Sequence, residues 1–346
     1  MTIGRHRVGP PHPAFIVAEA GVNHDGSLDK ALRLVDAAAD VGADAVKFQM
    51  FRADDLVTAT AETAAYQREA TRHSSQRDLL AKLELSLEQF RTLRDRCDNR
   101  SIAFLATPFG AREIDWLTEL GAPAIKIAST DLTNAPLLGL AAATGAALIL
   151  STGAADKREI DDAVALVRQK RAGDRLILLH CVSAYPTPLS AINLRAIATL
   201  RRRYAVPCGL SDHTVSTQTG GWAVASGADV LEKHFTLDPD APGPDHAMSL
   251  DPSQMKDYIR HVRDAETALG DGRVGVTECQ REVRLVAGRS VVATVDIKAG
   301  TRLTPDMMGL KRPGTGIAPT ELERIAGRCA AVDIPADTLM AWDMVV

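Results

Sequence analysis

The sequence predicts an α/β fold, a (β/α)8 TIM barrel followed by a small C-terminal domain. Three observations predict it. Eight short apolar runs alternate with amphipathic helical stretches between Phe15 and about Leu269, the spacing of strand–helix units. Reactive side chains fall at or just after the C-terminal ends of those runs, the ends that share one rim in a barrel. A composition shift near Asp271-Gly272 then ends the alternation. A doubly wound sheet would serve the same alternation, but it would scatter several of those side chains along its edge.

The strands are read near Phe15–Ala18, Ala45–Gln49, Ala103–Ala106, Ala124–Ile127, Leu148–Ser151, Leu176–His180, Val206–Leu210 and Val230–His234. Between them the helical period is plain, as in Leu28, Ala31, Leu32, Val35, Ala38 and Ala39. Ser86-x-x-Gln89 and Asp156-x-x-Glu159 have the pattern of capping boxes, whose side chains satisfy free N–H groups of the first turn. Gly42, Gly121 and Gly145 stand where helices should stop. The stretch Met50–Leu85 is too long for a simple connection and polar in its middle, which fits either a lid or a solvated excursion.

The barrel is read as residues 1–272 and a charged linker as 273–290. The second domain, 291–346, contains a near-repeat: Asp296-Ile-Lys-Ala-Gly-Thr-Arg-Leu-Thr-Pro-Asp-Met307 and Asp333-Ile-Pro-Ala-Asp-Thr-Leu-Met-Ala-Trp-Asp-Met344. Two copies of one motif imply a compact pseudo-symmetric unit, too short for a solenoid.

The chain has 346 residues, 46% hydrophobic and 24% charged, with a formal net charge of −4. That composition suits a globular protein with a well-buried core and suggests neither a nucleic-acid nor a membrane partner. The stretch Met1–Arg7 lacks the apolar core of a signal peptide. Five cysteines without a C-x-x-C spacing argue against a disulfide framework. A reducing, cytoplasmic setting is expected.

Two stretches carry the chemistry. Gly209-Leu-Ser-Asp-His213-Thr and Leu231-Glu-Lys-His234-Phe each place a histidine at the end of a strand-like run, and Pro242-Gly-Pro-Asp245 follows. His213, His234 and Asp245 could converge on a divalent metal, with water or substrate completing the shell. The plainer reading of either histidine alone is a satisfied side chain in a polar pocket, and of Asp245 a turn residue. Glu19, Lys47, Gln49, Thr107, Lys126, Ser129, Ser151, His180 and Ser211 occupy the other strand ends.

Ten motifs appear in order: Glu19-Ala-Gly-Val-Asn-His-Asp-Gly26, Val46-Lys-Phe-Gln49, Ala106-Thr-Pro-Phe109, Lys126-Ile-Ala-Ser129, Leu150-Ser-Thr-Gly153, His180-Cys-Val-Ser-Ala-Tyr-Pro186, Gly209-Leu-Ser-Asp-His213, Glu232-Lys-His234, Gly243-Pro-Asp245 and Lys311-Arg-Pro-Gly-Thr-Gly316. Through them the chain resembles the bacterial sialic acid synthases, which make N-acetylneuraminic, legionaminic or pseudaminic acid. The resemblance extends to a C-terminal antifreeze-like (SAF, β-clip) domain. It implies a transferase that condenses phosphoenolpyruvate (PEP) with the open-chain aldehyde of an N-acylated mannosamine-type sugar, releasing a nine-carbon 2-keto acid and phosphate. It also implies a divalent metal, most commonly Mn2+ with Mg2+ or Co2+ as alternatives, and a domain-swapped homodimer.

The resemblance implies roles as well. His213 and His234 would hold the metal. Glu19 would be the acid/base group, with Asp245 beside the metal or the substrate. Lys47 and Lys126 would face the PEP phosphate and carboxylate, joined by Thr107, Ser129, Ser151 and Ser211. Gln49, Asp131 and Tyr185 would line the sugar side, and Arg312 would arrive from the partner subunit. Two positions depart from the pattern: Ser183 stands where members commonly carry Asn, and Asp131 where some carry Glu. The segments Met50–Leu56, Tyr66-Gln67 and Lys82–Ser86 look closer to the neuraminate and legionaminate branch than to the pseudaminate branch. Two other readings stay open: a Schiff-base pyruvate aldolase using Lys126, and a non-catalytic carbohydrate-binding or ice-binding protein.

Overall fold

The computed structural model describes residues 1–58, 60–61, 75–170 and 172–346. It divides into two compact units, Met1–Gly270 and Asp271–Val346.

The first unit opens with a short antiparallel hairpin, β1 (Thr2–Ile3) and β2 (His6–Arg7). Among the described residues, eight parallel strands then close into a barrel. They are β3 (Phe15–Gly21), β4 (Ala45–Met50), β5 (Ala103–Pro108), β6 (Ala124–Ile127), β7 (Ala147–Ser151), β8 (Leu176–Cys181), β9 (Cys208–Asp212) and β10 (Val230–His234). β10 pairs with β3, so the sheet has no free edge, and the doubly wound alternative falls. The strand read at Val206–Leu210 begins two residues later. Pro207 has no N–H to give to a ladder, and pairing runs instead through Cys208 to Asp212.

Alternation along each strand sorts the residues between two cores. Ile16, Val46, Phe48, Leu148, Leu150 and Leu231 point outward under the helices. Phe15, Val17, Leu105, Ile149, Leu179 and Val230 point inward and fill the lower barrel, where Ile3 and Val8 of the N-terminal hairpin join them. Farther up, the inward residues turn polar: Glu19, Lys47, Thr107, Lys126, Ser151, Ser211, Glu232 and His234 are all buried. An apolar plug below and a polar layer above leave the C-terminal rim as the place for chemistry.

The helices begin and end as the local sequence dictates. Ser86/Gln89 and Asp156/Glu159 both form capping boxes, each cap worth about 1 kcal/mol. Asp251/Gln254 forms a third, unanticipated one at the start of helix Pro252–Leu269. Gly42, Gly121 and Gly145 have φ of +85°, +65° and +87° just past helix ends. Within the long connection after β4, Ala53–Leu56 and Gln76–Ala81 are helical. Val22, Phe51, Leu79 and Leu83 make a small apolar cluster there. Most of the polar middle, including Tyr66-Gln67, lies outside the described residues.

The second unit shows the sequence repeat as structure. Ile297 and Ile334 exchange backbone N–H···O bonds of 2.8 Å in each direction. The Asp296 carboxylate accepts the Ala336 N–H at 2.8 Å, and Asp333 accepts the Ala299 N–H at 2.8 Å. Each copy thus caps the other. β11 (Ser290–Ala293) pairs antiparallel with β12 (Met308–Lys311) over a core of Val291, Ile297, Leu303, Ile317, Ile334 and Met340. The stretch read as a linker carries a short helix, Arg281–Ala287.

Barrel closure depends on Gly209. A Cβ there would lie 1.8 Å from the carbonyl oxygen of Val230 on the neighbouring strand, a backbone atom that has nowhere to go. Gly209→Ala should therefore destabilise the barrel by about 3 kcal/mol or more in a denaturant melt. A loss under about 1 kcal/mol would contradict this β9–β10 approach.

Candidate active site

Register brings the polar layer together. Glu19 pairs with Lys47 across β3–β4 and with His234 across β10–β3. Ser211 pairs with Glu232 across β9–β10. The result is a buried row of alternating charge. Lys47 Nζ lies 2.7 Å from Glu19 Oε2 and 3.6 Å from Glu232 Oε2, and Lys126 Nζ lies 3.6 Å from Glu232 Oε1. Lys47 also donates to Thr107 Oγ1 at 3.0 Å, and Ser211 donates to Glu232 Oε1 at 2.8 Å.

The row is electrostatically uneven. Burial opposes ionisation of Glu232, yet Lys126 and Lys47 outweigh it and hold the carboxyl well below its ordinary range. Glu19 has one close ammonium instead of two, so burial wins and pushes it up to about 7. Burial works against the charge on Lys47 too, but Glu19 and Glu232 raise it above its ordinary value. At Lys126 burial prevails and lowers the ammonium despite Glu232. Two lysines, one firm carboxylate and one carboxyl near its midpoint leave the layer cationic toward an incoming anion.

Sequence reasoning did not assign Glu232 to the site. Strand parity could have found it: Val230, Glu232 and His234 alternate with Leu231 and Lys233, so one face of β10 holds all three.

The two imidazoles adjoin this row. Their ring centroids are 5.4 Å apart, and Tyr185 sits 4.4 Å from the His213 ring. His213 Nδ1 lies 2.8 Å from the Val182 carbonyl oxygen. A carbonyl only accepts, so Nδ1 carries the hydrogen; Nε2 lies 3.4 Å from Ser211 Oγ, whose hydrogen goes to Glu232, and keeps its lone pair toward the cavity. His234 Nδ1 is buried without a hydrogen-bond partner, 4.0 Å from Asp245 Oδ2. Burial lowers both histidines, His234 far below its ordinary value with help from His213 and Lys47. Two neutral imidazoles with open nitrogens fit a divalent cation. Among the described residues no group of three or more His, Cys, Asp or Glu is arranged to hold a metal. Water or substrate would have to complete the shell.

Two adjoining cavities share Gln49, Tyr185 and His234. One, about 150 Å³, is lined by Glu19, Lys47, Thr107, Lys126, Ser129, Ser151, Ser211 and the two histidines. The other, about 140 Å³, is lined by Asp245, Val22, Leu79, Leu83 and Met248. Gly21 lies at the junction, where a Cβ would come 3.2 Å from Glu19 Oε1, 3.4 Å from Gln49 Nε2 and 3.6 Å from Asp245 Oδ2. Burial raises Asp245 to about 6. Its backbone is held by Ser249, whose hydroxyl donates to the Asp245 carbonyl at 2.6 Å and accepts from Asn23 at 2.9 Å.

Ser183 touches Ser129, with the hydroxyl oxygens 3.2 Å apart. A Cβ on Gly153 would strike Ser183 Oγ at 2.5 Å and Cys181 Sγ at 2.4 Å, so glycine leaves that corner open. Two anticipated residues lie outside both cavities. Asp131 is half-buried in the turn Ser129–Asp131, accepts from Asn134 at 3.0 Å, and lines neither cavity. His180 faces out of the barrel, its Nε2 2.8 Å from the Ile192 carbonyl oxygen; it is one residue out of phase with Cys181, which faces in. Arg312 belongs to the second unit, exposed in the turn after β12.

The chain is similar to known proteins over most of its length. Residues 34–274 match the NeuB family and residues 288–346 the SAF domain. The N,N'-diacetyllegionaminic acid synthase of Legionella pneumophila is 41% identical over 97% of this chain and 95% of its own length. A pseudaminic acid synthase of Campylobacter jejuni is 33% identical over 92% and 93%. The crystal structure of N-acetylneuraminic acid (sialic acid) synthetase from Leptospira borgpetersenii superposes with a TM-score of 0.73 at 36% identity, covering 82% of this chain and 94% of that one. A matched model over most of the barrel, and relatives aligned nearly end to end, show that the chain belongs to the NeuB family.

Proposed function

We propose that this chain condenses phosphoenolpyruvate with the open-chain form of an N-acylated mannosamine-type aldose, forming a nine-carbon 2-keto acid and inorganic phosphate. The observation that carries the reading is the lysine–glutamate row beside two neutral imidazoles on one barrel rim. It offers fixed cations for a small, densely charged enol phosphate and open nitrogens for a metal. Family membership supports the same chemistry.

Lys126, Ser129, Ser151, Ser183 and Ser211 hold the phosphate and carboxylate, with Lys47 and Thr107 closing the far side. Holding the two substrates together lets C3 of PEP bond to the aldehyde carbon. A divalent cation bound by His213 and His234, Mn2+ in this reading, would supply Lewis acidity at the aldehyde oxygen. Water then adds at C2; Glu19 takes its proton and passes it to the former aldehyde oxygen, which becomes a hydroxyl. The C2–O bond to the phosphate then breaks, phosphate leaves with the electron pair and takes up the C2 hydroxyl proton, and the 2-keto group remains. Gln49, Tyr185 and Asp245 orient the sugar in the adjoining cavity.

The sugar proposed first is of the legionaminate type, a 2,4-diacetamido-6-deoxy aldose. The higher identity to the legionaminic acid synthase than to the pseudaminic acid synthase supports it. One feature favours a second reading: burial lowers Lys126, as a Schiff-base lysine requires. Its contact with Glu232 favours an ammonium instead. A panel of N-acylated aldoses with PEP, read by phosphate release and product mass, should give a nine-carbon acid. Borohydride with pyruvate should leave Lys126 unmodified; trapping without phosphate release would select the aldolase.

The raised Glu19 sets a pH dependence. Below about pH 7 the carboxyl is protonated and cannot accept a proton; above it the base form accumulates. kcat/KM should rise through about pH 7, and Glu19→Gln should lower it about 10²- to 10⁴-fold and flatten that limb. A limb unchanged in E19Q would remove Glu19 from this role.

The active form is proposed to be a homodimer in which Arg312 of one subunit meets the sugar bound to the other. Its exposed position within the SAF-matching unit supports this. Mixing inactive E19Q and R312A chains and letting them re-associate should restore about a quarter of wild-type activity, since half of the dimers would carry one intact site of two. No restoration despite subunit exchange would contradict the swap.

A further inference from the structure

A second buried ion pair lies behind the barrel wall, opposite the imidazoles. Lys233 pairs with Asp212 across β9–β10, next to the Glu232–Ser211 pair. Successive strand residues face opposite ways, so Glu232 and Ser211 look into the barrel while Lys233 and Asp212 look out. There they meet helices Thr219–Ala225 and Pro252–Leu269. Lys233 is 0% and Asp212 1% exposed, and Lys233 Nζ lies 3.1 Å from Asp212 Oδ2. The ammonium also donates to the carbonyl oxygen of Thr214, and to Thr214 Oγ1 at 3.2 Å. Asp212 accepts the Thr214 N–H at 2.9 Å and the Thr219 hydroxyl. The Tyr258 ring covers the ammonium at 5.5 Å. Gly220 makes room for it, because a Cβ there would be 2.5 Å from Tyr258 Cζ.

The condensation uses none of these groups. An ion pair this deep is also a poor source of stability, since matched apolar side chains often do as well. The placement is what stands out: Asp212 and Thr214 flank His213, and Lys233 precedes His234. We propose that the Lys233–Asp212 pair is a positioning device that fixes the spacing and aim of the two imidazoles on the opposite face, so that both meet one divalent cation. The proposal rests on the reading of His213 and His234 as metal ligands. The ring centroids lie 5.4 Å apart at the ends of the two strands that the pair joins, whereas the lysines and serines that hold PEP lie mostly on other strands.

The test is Mn2+ titration of the full-length, metal-free protein without substrate, read by the electron paramagnetic resonance of free Mn2+. PEP affinity is measured separately in the presence of chelator. Wild type should show a tight site that is lost in H213A. The double variant D212L/K233M removes both charges together, so neither is left buried without its counter-charge. It should melt cooperatively, bind Mn2+ about 10- to 100-fold more weakly, and bind PEP as wild type does. A folded double variant with wild-type Mn2+ affinity overturns the proposal, and so does an equal loss of Mn2+ and PEP binding. Should the double variant not fold, T219V removes only a hydroxyl donated to Asp212; it should still weaken Mn2+ measurably, and unchanged affinity overturns the proposal. Wild type and H213A binding Mn2+ alike would instead refute the ligand reading and take the device with it. A tight wild type, a weak H213A and an unchanged double variant would sink the device alone.

Discussion

Four buried charges at one end of a closed barrel are the constraint on which the rest depends. Glu19, Lys47, Glu232 and Lys126 are each 5% exposed or less. Isolated, any of them would cost several kcal/mol to bury. They persist because each faces an opposite charge, Glu19 and Lys47 from adjacent strands and Glu232 reaching Lys47 and Lys126 across the barrel mouth, and because hydroxyls of Thr107 and Ser211 add further bonds. That arrangement holds only if strand register is exact to the residue, since a slip of one would turn every charge into the outer apolar shell. The apolar layers below, sealed by Ile3 and Val8, keep the register and exclude water from beneath.

The same strands divide labour by parity. Inward positions hold the chemistry and outward positions hold the scaffold, and on β9–β10 the scaffold is itself charged. The inner pair Ser211–Glu232 and the outer pair Asp212–Lys233 sit back to back on consecutive residues. The polar layer is rigid for a physical reason: Glu19, Lys47, Thr107, Lys126, Ser151, Ser211, Glu232 and His234 all sit on strands bonded on both sides. The second unit reaches its order by a different route. Its two sequence copies lend each other caps through Asp296 and Asp333, so a short chain gains stability from pseudo-symmetry.

Much of this was legible in the sequence. Eight strands were read within about two or three residues, because short apolar runs alternating with amphipathic, capped helices are a strong local signal. Both anticipated capping boxes formed, and the strand-end residues gathered on one rim because barrel topology leaves them no alternative. What was missed turned on parity and on contacts distant in sequence. Glu232 was hidden inside a motif noticed for its histidine. His180 was counted with the rim although it is one residue out of phase with Cys181. Asp131 falls in a turn whose side chain is held by Asn134, and no periodic pattern reports the aim of a turn residue. The Lys233–Asp212 pair joins residues 21 apart in sequence, beyond the reach of any local rule.

The proposed chemistry requires a cation and an enol phosphate side by side at this rim. The most direct measurement is diffraction, at the manganese absorption edge, from crystals grown with Mn2+ and PEP. One anomalous peak within coordination distance of ring nitrogens of both His213 and His234 is predicted, with the phosphate seated against Lys126. A peak remote from both rings, or PEP bound away from the lysine–glutamate row, would contradict it.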